Sequence, residues 1–151
     1  MKITLKDGSS IEVNNRTSVY DIAKQISEGL ARVALAGEVN GEVKDLRYEI
    51  DTDSEVSILT FDSLNGKKAY WHTTSHIMAQ AVKRLFPNAK VTIGPAVEKG
   101  FYYDFDVEKP FTEEDLGKIE EEMKKIIKED LPIERFELPK NEALELMKDE
   151  P

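Results

Sequence analysis

The first 60 residues switch from strand-type to helix-type hydrophobic spacing and back, an order that few small folds accommodate. Apolar and polar residues alternate on both sides of Asp7-Gly8, a sequence typical of tight turns, and this predicts a β-hairpin. A helix-type repeat then begins at Thr17 or Ser18, either of which can cap it, and ends at Gly29. The apolar positions of the hairpin are Ile3, Leu5, Ile11 and Val13, and those of the helix are Val19, Ile22, Ala23 and Ile26.

Three further strand-like stretches follow the predicted helix. They lie at Arg32 to Ala36, Glu38 to Val43 and Glu55 to Leu59. The order strand, strand, helix, strand, strand, strand predicts a small sheet with one helix packed across it, an α+β arrangement.

A polar, turn-rich segment from Asp62 to Lys68 separates this region from the rest of the chain. We therefore expect a first domain at 1–62, a linker at 63–69 and a second domain at 70–151. In the second domain the patterns predict helix from Tyr70 to Phe86, with an apolar stripe of Ile77, Met78, Ala81, Val82 and Leu85. The later predicted elements are strands at Lys90 to Ile93 and Phe101 to Asp106, a helix from Thr112 to Leu131-Pro132 that buries Leu116, Ile119, Met123, Ile126 and Ile127, a strand at Ile133 to Leu138 and a helix from Pro139 to Met147.

Composition limits the functional classes. The net charge of −9 argues against non-specific coating of nucleic acid, DNA included, although residues 67 to 106 carry a net charge of +3. The chain has no cysteine, which excludes disulfide scaffolds and thiolate metal ligands within it. Without an apolar run of about 20 residues or a signal-type start, we expect a soluble, cytoplasmic protein that does not enter a membrane.

The chain's only two histidines, His72 and His76, stand four residues apart at the head of the second predicted helix. Residues at this spacing project from the same side of a helix, so both imidazoles would face one spot, beside or opposite the apolar stripe. Three interpretations stay open: a local structural role, acid–base or substrate-orienting work in a cleft, and a metal site. A metal would need a third ligand such as Asp104, and Thr73 stands where the zinc-protease pattern requires glutamate.

Aromatic residues are concentrated between Phe101 and Phe105. If this segment is one strand, Phe101, Tyr103 and Phe105 share a face, and Tyr102 points the other way. One tyrosine should then point with the core and the other away from it. Such alternation is more typical of core packing than of a base-stacking surface.

Two groups of motifs together resemble the N-terminal region of bacterial-type threonyl-tRNA synthetases. The segment from Trp71 to Lys83, followed by Ile93-Gly94-Pro95 and Gly100 to Asp104, resembles the first part of the family's editing domain. The first third, including Ile3 to Gly8 and Val39-Asn40-Gly41, is similar to the TGS domain that precedes it. The resemblance implies a β-grasp (ubiquitin-like) TGS domain followed by a partial α+β editing domain.

The resemblance also implies a function. The family attaches threonine to its tRNA with ATP, and its editing domain hydrolyses serine wrongly attached to that tRNA. His72 and His76 match the paired editing histidines, and Tyr103 matches a tyrosine that lines the pocket. No cofactor or metal is implied for this region; ATP, magnesium and a zinc ion belong to the aminoacylation core of the longer protein. The implied partner is the acceptor end of tRNA(Thr), and dimerisation would use regions absent here.

This chain departs from the family pattern in two ways. The family usually reads Arg-His-Ser and then Ala-His, whereas this chain has Trp71-His72-Thr73 and Ser75-His76. The family also completes the pocket with a later Cys-x-x-x-His motif, which these 151 residues lack. We therefore expect a truncated, inactive editing domain in an N-terminal fragment. The alternative is a non-catalytic TGS-containing module that binds RNA or a regulatory partner.

Overall fold

A computed structural model describes residues 1–148 of the chain, which divide into two compact units. The first unit is Met1–Trp71, and the second begins at His72. None of the helices within residues 1–148 is long and apolar enough to cross a membrane.

The first unit is a five-stranded sheet with two short helices. The predicted hairpin is confirmed: its two strands pair antiparallel, with Ile3 opposite Ile11. The strands of the unit are β1 (Lys2–Leu5), β2 (Ser10–Glu12), β3 (Thr17–Ser18), β4 (Ala36–Val39), β5 (Glu42–Lys44), β6 (Glu49–Ile50) and β7 (Ser54–Leu59). The first strand also pairs parallel with the last, and the sheet has the order β2-β1-β7-β4-β5. A separate pair, β3 with β6, lies outside that sheet.

The predicted first helix forms, and its apolar side supplies the core of this unit. Helix α1 (Val19–Ile26) begins at Ser18, whose hydroxyl accepts the Asp21 amide at 3.0 Å, as expected for an N-cap. Its buried residues pack against the sheet, where a glycine on β4, Gly37, lets Val19 approach closely. The fully or nearly buried residues of this core are Ile3, Val13, Val19, Ile22, Val39, Ile50 and Val56.

The predicted strand from Arg32 to Ala36 is wrong over its first residues. A second helix, α2 (Glu28–Val33), starts directly after α1, with the Ser27 hydroxyl accepting the Leu30 amide at 3.0 Å. Only Ala36 of the predicted stretch is in a strand. The Ser27 cap starts a new helix before Gly29, where the first helix is predicted to end, and the β-branched Val33 is exposed.

The long helix α3 (Leu64–Leu85) starts earlier than predicted. Residues 64–69, assigned to a polar linker, form its first turns, because Ser63 organises the start: its hydroxyl accepts the Gly66 amide at 3.0 Å. The predicted domain boundary itself remains a prediction. Of the predicted apolar stripe, Ala81 and Val82 are buried in the core of the second unit, whereas Leu85 is exposed.

After α3 the chain forms an extended hairpin in place of two continuous strands. The outer pair is β8 (Lys90–Val91) with β11 (Phe105–Asp106), and the inner pair is β9 (Ala96–Val97) with β10 (Gly100–Phe101). Thr92 and Asp104 continue the ladder between them, since the Thr92 amide donates to the Asp104 carbonyl at 3.2 Å. The predicted strand from Phe101 to Asp106 is therefore interrupted at residues 102–104.

Helix α4 (Glu113–Glu129) begins at Thr112, as predicted. Thr112 and Asp115 form a reciprocal capping box, in which each side chain accepts the other residue's amide. Ile119 and Ile126 are buried and Met123 is partly buried, but Leu116 and Ile127 are 58% and 60% exposed, which corrects the predicted stripe.

Arg84 ties α3 to α4 through two carboxylates. Its guanidinium donates to Glu129 at 2.7 and 2.8 Å and to Glu122 at 3.2 Å. These bonds raise the pKa of Arg84 further above its already high value, so the guanidinium stays charged across the physiological pH range.

The predicted strand from Ile133 to Leu138 does not form. Residues 131–139 have no regular secondary structure, and Ile133 and Phe136 are each 65% exposed. A strand is stabilised by a partner strand, and no described strand pairs with this segment. The predicted last helix is α5 (Lys140–Leu146), which begins one residue after Pro139.

Candidate functional site

The two histidines meet on the exposed side of α3, as their spacing predicts. The Nε2 atoms of His72 and His76 are 3.1 Å apart, and the ring centroids are 4.5 Å apart with the planes at 84°. Both residues are exposed, although the His76 ring is partly shielded from solvent. The pair therefore presents two imidazole nitrogens at a single point of the surface of the second unit.

The short contact between the two Nε2 atoms fixes how the pair holds protons. One Nε2 must carry a hydrogen and the other must accept it, so the neutral rings are in opposite tautomers. Partial burial, and secondly the nearby His72, lower the pKa of His76 below its ordinary value. His76 is therefore neutral at pH 7, and a second positive charge on the pair is disfavoured.

Behind the histidines, Ser75 is completely buried. Its hydroxyl lies 2.7 Å from the His72 carbonyl and 3.0 Å from the Gly94 carbonyl. The first contact is the usual local bond of a helical serine to the carbonyl three residues earlier. The second joins α3 to the segment between β8 and β9, nineteen residues later in the chain.

Tyr103 approaches the same segment from the other strand of the hairpin. Its ring is half-buried and stacks on Phe105, with centroids 4.8 Å apart and planes at 19°. The ring lies so close to Gly94 that a Cβ atom there would be 2.1 Å from Cδ2 of Tyr103. Tyr102, by contrast, is 51% exposed, so the two tyrosines do differ in burial as predicted.

The structure thus brings the three predicted site residues into one unit, by two different routes. His72 and His76 touch directly, whereas Tyr103 is connected to their helix through Gly94 and Ser75. Sequence reasoning missed both connecting residues. In the sequence, Gly94 stands out only as part of the Ile93-Gly94-Pro95 motif, although glycine at a close approach is a recognised use of the residue type.

A metal site at the two histidines would need a third ligand close to them. Within residues 1–148, no group of three or more His, Cys, Asp or Glu side chains is arranged to hold an ion. Asp104, the carboxylate considered from the sequence, is exposed, and its amide donates to the Ile93 carbonyl in the hairpin ladder.

Comparison with known proteins shows which proteins this chain is similar to. The TGS domain family matches residues 1–60. Threonine–tRNA ligase of Acetivibrio thermocellus is 65% identical over 99% of this chain and 24% of its own length. The ligases of Clostridium perfringens and Clostridioides difficile are 61% and 58% identical, over 100% and 99% of this chain and again 24% of theirs. This chain matches the N-terminal region of threonine–tRNA ligases.

The match confirms the resemblance stated from the motifs, and the mixed sheet and helices of the first unit agree with an α+β, β-grasp-like TGS domain. The chain spans about a quarter of the length of these curated relatives. The histidine pair and Tyr103 both lie outside the residues that the TGS family matches.

Proposed function

We propose that the second unit contributes one wall of a proofreading site that hydrolyses serine from tRNA(Thr) in a longer threonine–tRNA ligase. The observation that carries the proposal is the exposed His72–His76 pair with Nε2 atoms 3.1 Å apart, backed by a structured connection to Tyr103. Relatives that match the whole of this chain are named as threonine–tRNA ligases.

The physical need for a second site comes from the similarity of serine and threonine. Serine lacks only one methyl group, and a missing methyl changes binding by about 1–3 kcal/mol, too little for accurate selection. A separate hydrolytic site that accepts the smaller amino acid removes the errors that pass the first selection.

The proposed reaction is hydrolysis of an ester. Water attacks the seryl carbonyl carbon, the bond to the ribose oxygen breaks, one proton of the water is lost and the ribose oxygen gains one. A neutral His76 can accept a hydrogen bond from that water, and its partner His72 orients the terminal ribose. Tyr103 lines the pocket.

The rest of the longer protein would supply what these residues lack. We propose that ATP, magnesium and zinc serve the aminoacylation core elsewhere in that protein, that the acceptor end of tRNA(Thr) is the partner, and that other regions form a homodimer in the cytoplasm. We also propose that the 151 residues alone hydrolyse Ser-tRNA(Thr) poorly, because they contain no Cys-x-x-x-His motif.

The test measures hydrolysis of Ser-tRNA(Thr) by the full-length ligase that carries this region. His72→Ala or His76→Ala should lower the rate by at least about 100-fold, the lower range for general acid–base catalysis, while threonine attachment is unchanged. Gln80→Ala, one turn farther along α3, is the matched control and should hydrolyse at the parental rate. Parental rates in both histidine variants would remove the pair from the reaction.

A further inference from the structure

Ser75 is the link between the helix that carries the histidines and the hairpin that carries Tyr103. Its side chain is completely buried, whereas the adjacent His76 is exposed. A buried hydroxyl must be hydrogen-bonded to avoid a large desolvation cost, and here the acceptors are two main-chain carbonyls.

Ser75 has one hydroxyl proton, and the two carbonyls differ in how much they depend on it. The His72 carbonyl lies inside α3 and accepts the amide four residues later, as in any helix. The Gly94 carbonyl lies outside regular structure, between β8 and β9. Ser75 lies between the two histidines in sequence. Its bond to the Gly94 carbonyl at 3.0 Å therefore fixes the position of Gly94 against α3.

The position of Gly94 in turn determines that of the Tyr103 ring. A Cβ atom on Gly94 would lie 2.1, 2.3 and 2.9 Å from Cδ2, Cε2 and Cγ of that ring, so glycine and ring are in direct contact. The same ring also stacks on Phe105. A shift of Gly94 away from α3 would carry the ring with it.

We infer that Ser75 is a positioning residue of the proofreading site, which holds Gly94 and thereby sets the distance between Tyr103 and the His72–His76 pair. This inference rests on the proposed function for its catalytic consequence. Its structural half, that the Ser75 hydroxyl holds the Tyr103 ring in place, stands on the geometry alone and is measured separately.

The structural half is tested by NMR on the 151-residue chain. The Gly94 α-proton that points at the Tyr103 ring should carry a ring-current shift, which Ser75→Ala should reduce by at least half. Ser75→Cys, which keeps a weak donor on a slightly larger side chain, should give an intermediate shift. Thr92→Ala is the matched control: it also removes a hydroxyl bonded to a hairpin carbonyl, that of Asp104 at 2.7 Å, but in solvent. An unchanged Gly94 shift in Ser75→Ala, or an equal loss in Thr92→Ala, would overturn the inference.

The catalytic half is tested in the full-length ligase. Ser75→Ala should lower kcat for hydrolysis of Ser-tRNA(Thr) about 5-fold with little change in KM, because misplacement of a site residue acts on the transition state. Ser75→Cys should recover part of the loss, and Thr92→Ala and the threonine attachment rate should be unchanged.

The outcomes separate the two proposals. If the histidine variants abolish hydrolysis and Ser75→Ala leaves kcat unchanged, the positioning role is wrong and the proposed function stands. If the histidine variants hydrolyse normally, the proposed function fails together with any catalytic role of Ser75, and the Gly94 proton alone decides whether the hydroxyl holds the ring.

Discussion

Two helical glycines in this chain should respond in opposite directions to the same substitution. Gly66 lies in the first turn of α3, where a Cβ atom would be 1.9 Å from the Thr60 carbonyl oxygen and 2.8 Å from Oγ of Ser63. Gly117 lies in α4, and a Cβ atom there would meet nothing within 4 Å. Gly66 is buried and Gly117 is exposed.

The expected free energies follow from this difference. Replacing glycine by alanine inside a helix stabilises it by about 1 kcal/mol, which is the whole expectation for Gly117→Ala. At Gly66 the methyl group must displace the Thr60 carbonyl, which accepts the Ser63 amide at 3.1 Å and the Ser63 hydroxyl at 3.0 Å. Two such bonds contribute about 1 kcal/mol each, and overpacking adds about 1–3 kcal/mol. The loss exceeds the gain, so Gly66→Ala should destabilise the first unit by about 2 kcal/mol or more.

Each unit has its own probe. Trp71, the only tryptophan of the chain, belongs to the first unit and lies 6.1 Å from the Phe61 ring, so urea unfolding followed by its fluorescence reports on Gly66→Ala. For Gly117→Ala, hydrogen exchange of the α4 amides should slow about 5-fold, the equivalent of about 1 kcal/mol. A Gly66→Ala chain as stable as the parent would show that the helix does not press on Thr60.

Two further predictions concern a helix cap and a histidine. Thr112→Ala removes the side-chain half of the capping box at the start of α4 and should destabilise the second unit by about 1 kcal/mol, measured by hydrogen exchange in α4, while Thr112→Ser should not. Because the pKa of His76 is lowered by folding, the folded chain binds fewer protons than the unfolded chain, so its contribution to stability is present above about pH 6.5 and falls as the pH drops through the lowered pKa. His72→Ala should raise the pKa of His76 only part of the way, since burial is the larger cause; an NMR titration that finds no rise would contradict the assigned interaction.

Each predicted element that failed has its own physical reason. The strand assigned to residues 133–138 has the right residue types, but strands need partners, and none of the described strands pairs with it. The helix α2 replaced a predicted strand because Ser27 caps a new turn before Gly29. At α3 the polar residues 64–69 look like a linker by composition, whereas Ser63 and Thr60 make them the start of a helix.

Part of the candidate site could be predicted from the sequence. The spacing of His72 and His76 by itself determined that their rings would meet, because one helical turn sets that distance, and the motif order identified the family that the relatives confirm. The alternation around Tyr103 predicted which tyrosine would be buried, although the strand is interrupted.

Sequence alone thus settled the local geometry, in which neighbours along a helix or hairpin are brought together by the backbone repeat. It could not show that Ser75 reaches Gly94, or that the Tyr103 ring lies on that glycine. Those two contacts join residues that are 19 and 9 positions apart, the first through a buried hydroxyl and the second through a glycine that leaves room for the ring. Only the packing of α3 against the hairpin decides them. The tertiary structure therefore determined how the histidine pair is connected to the rest of its site.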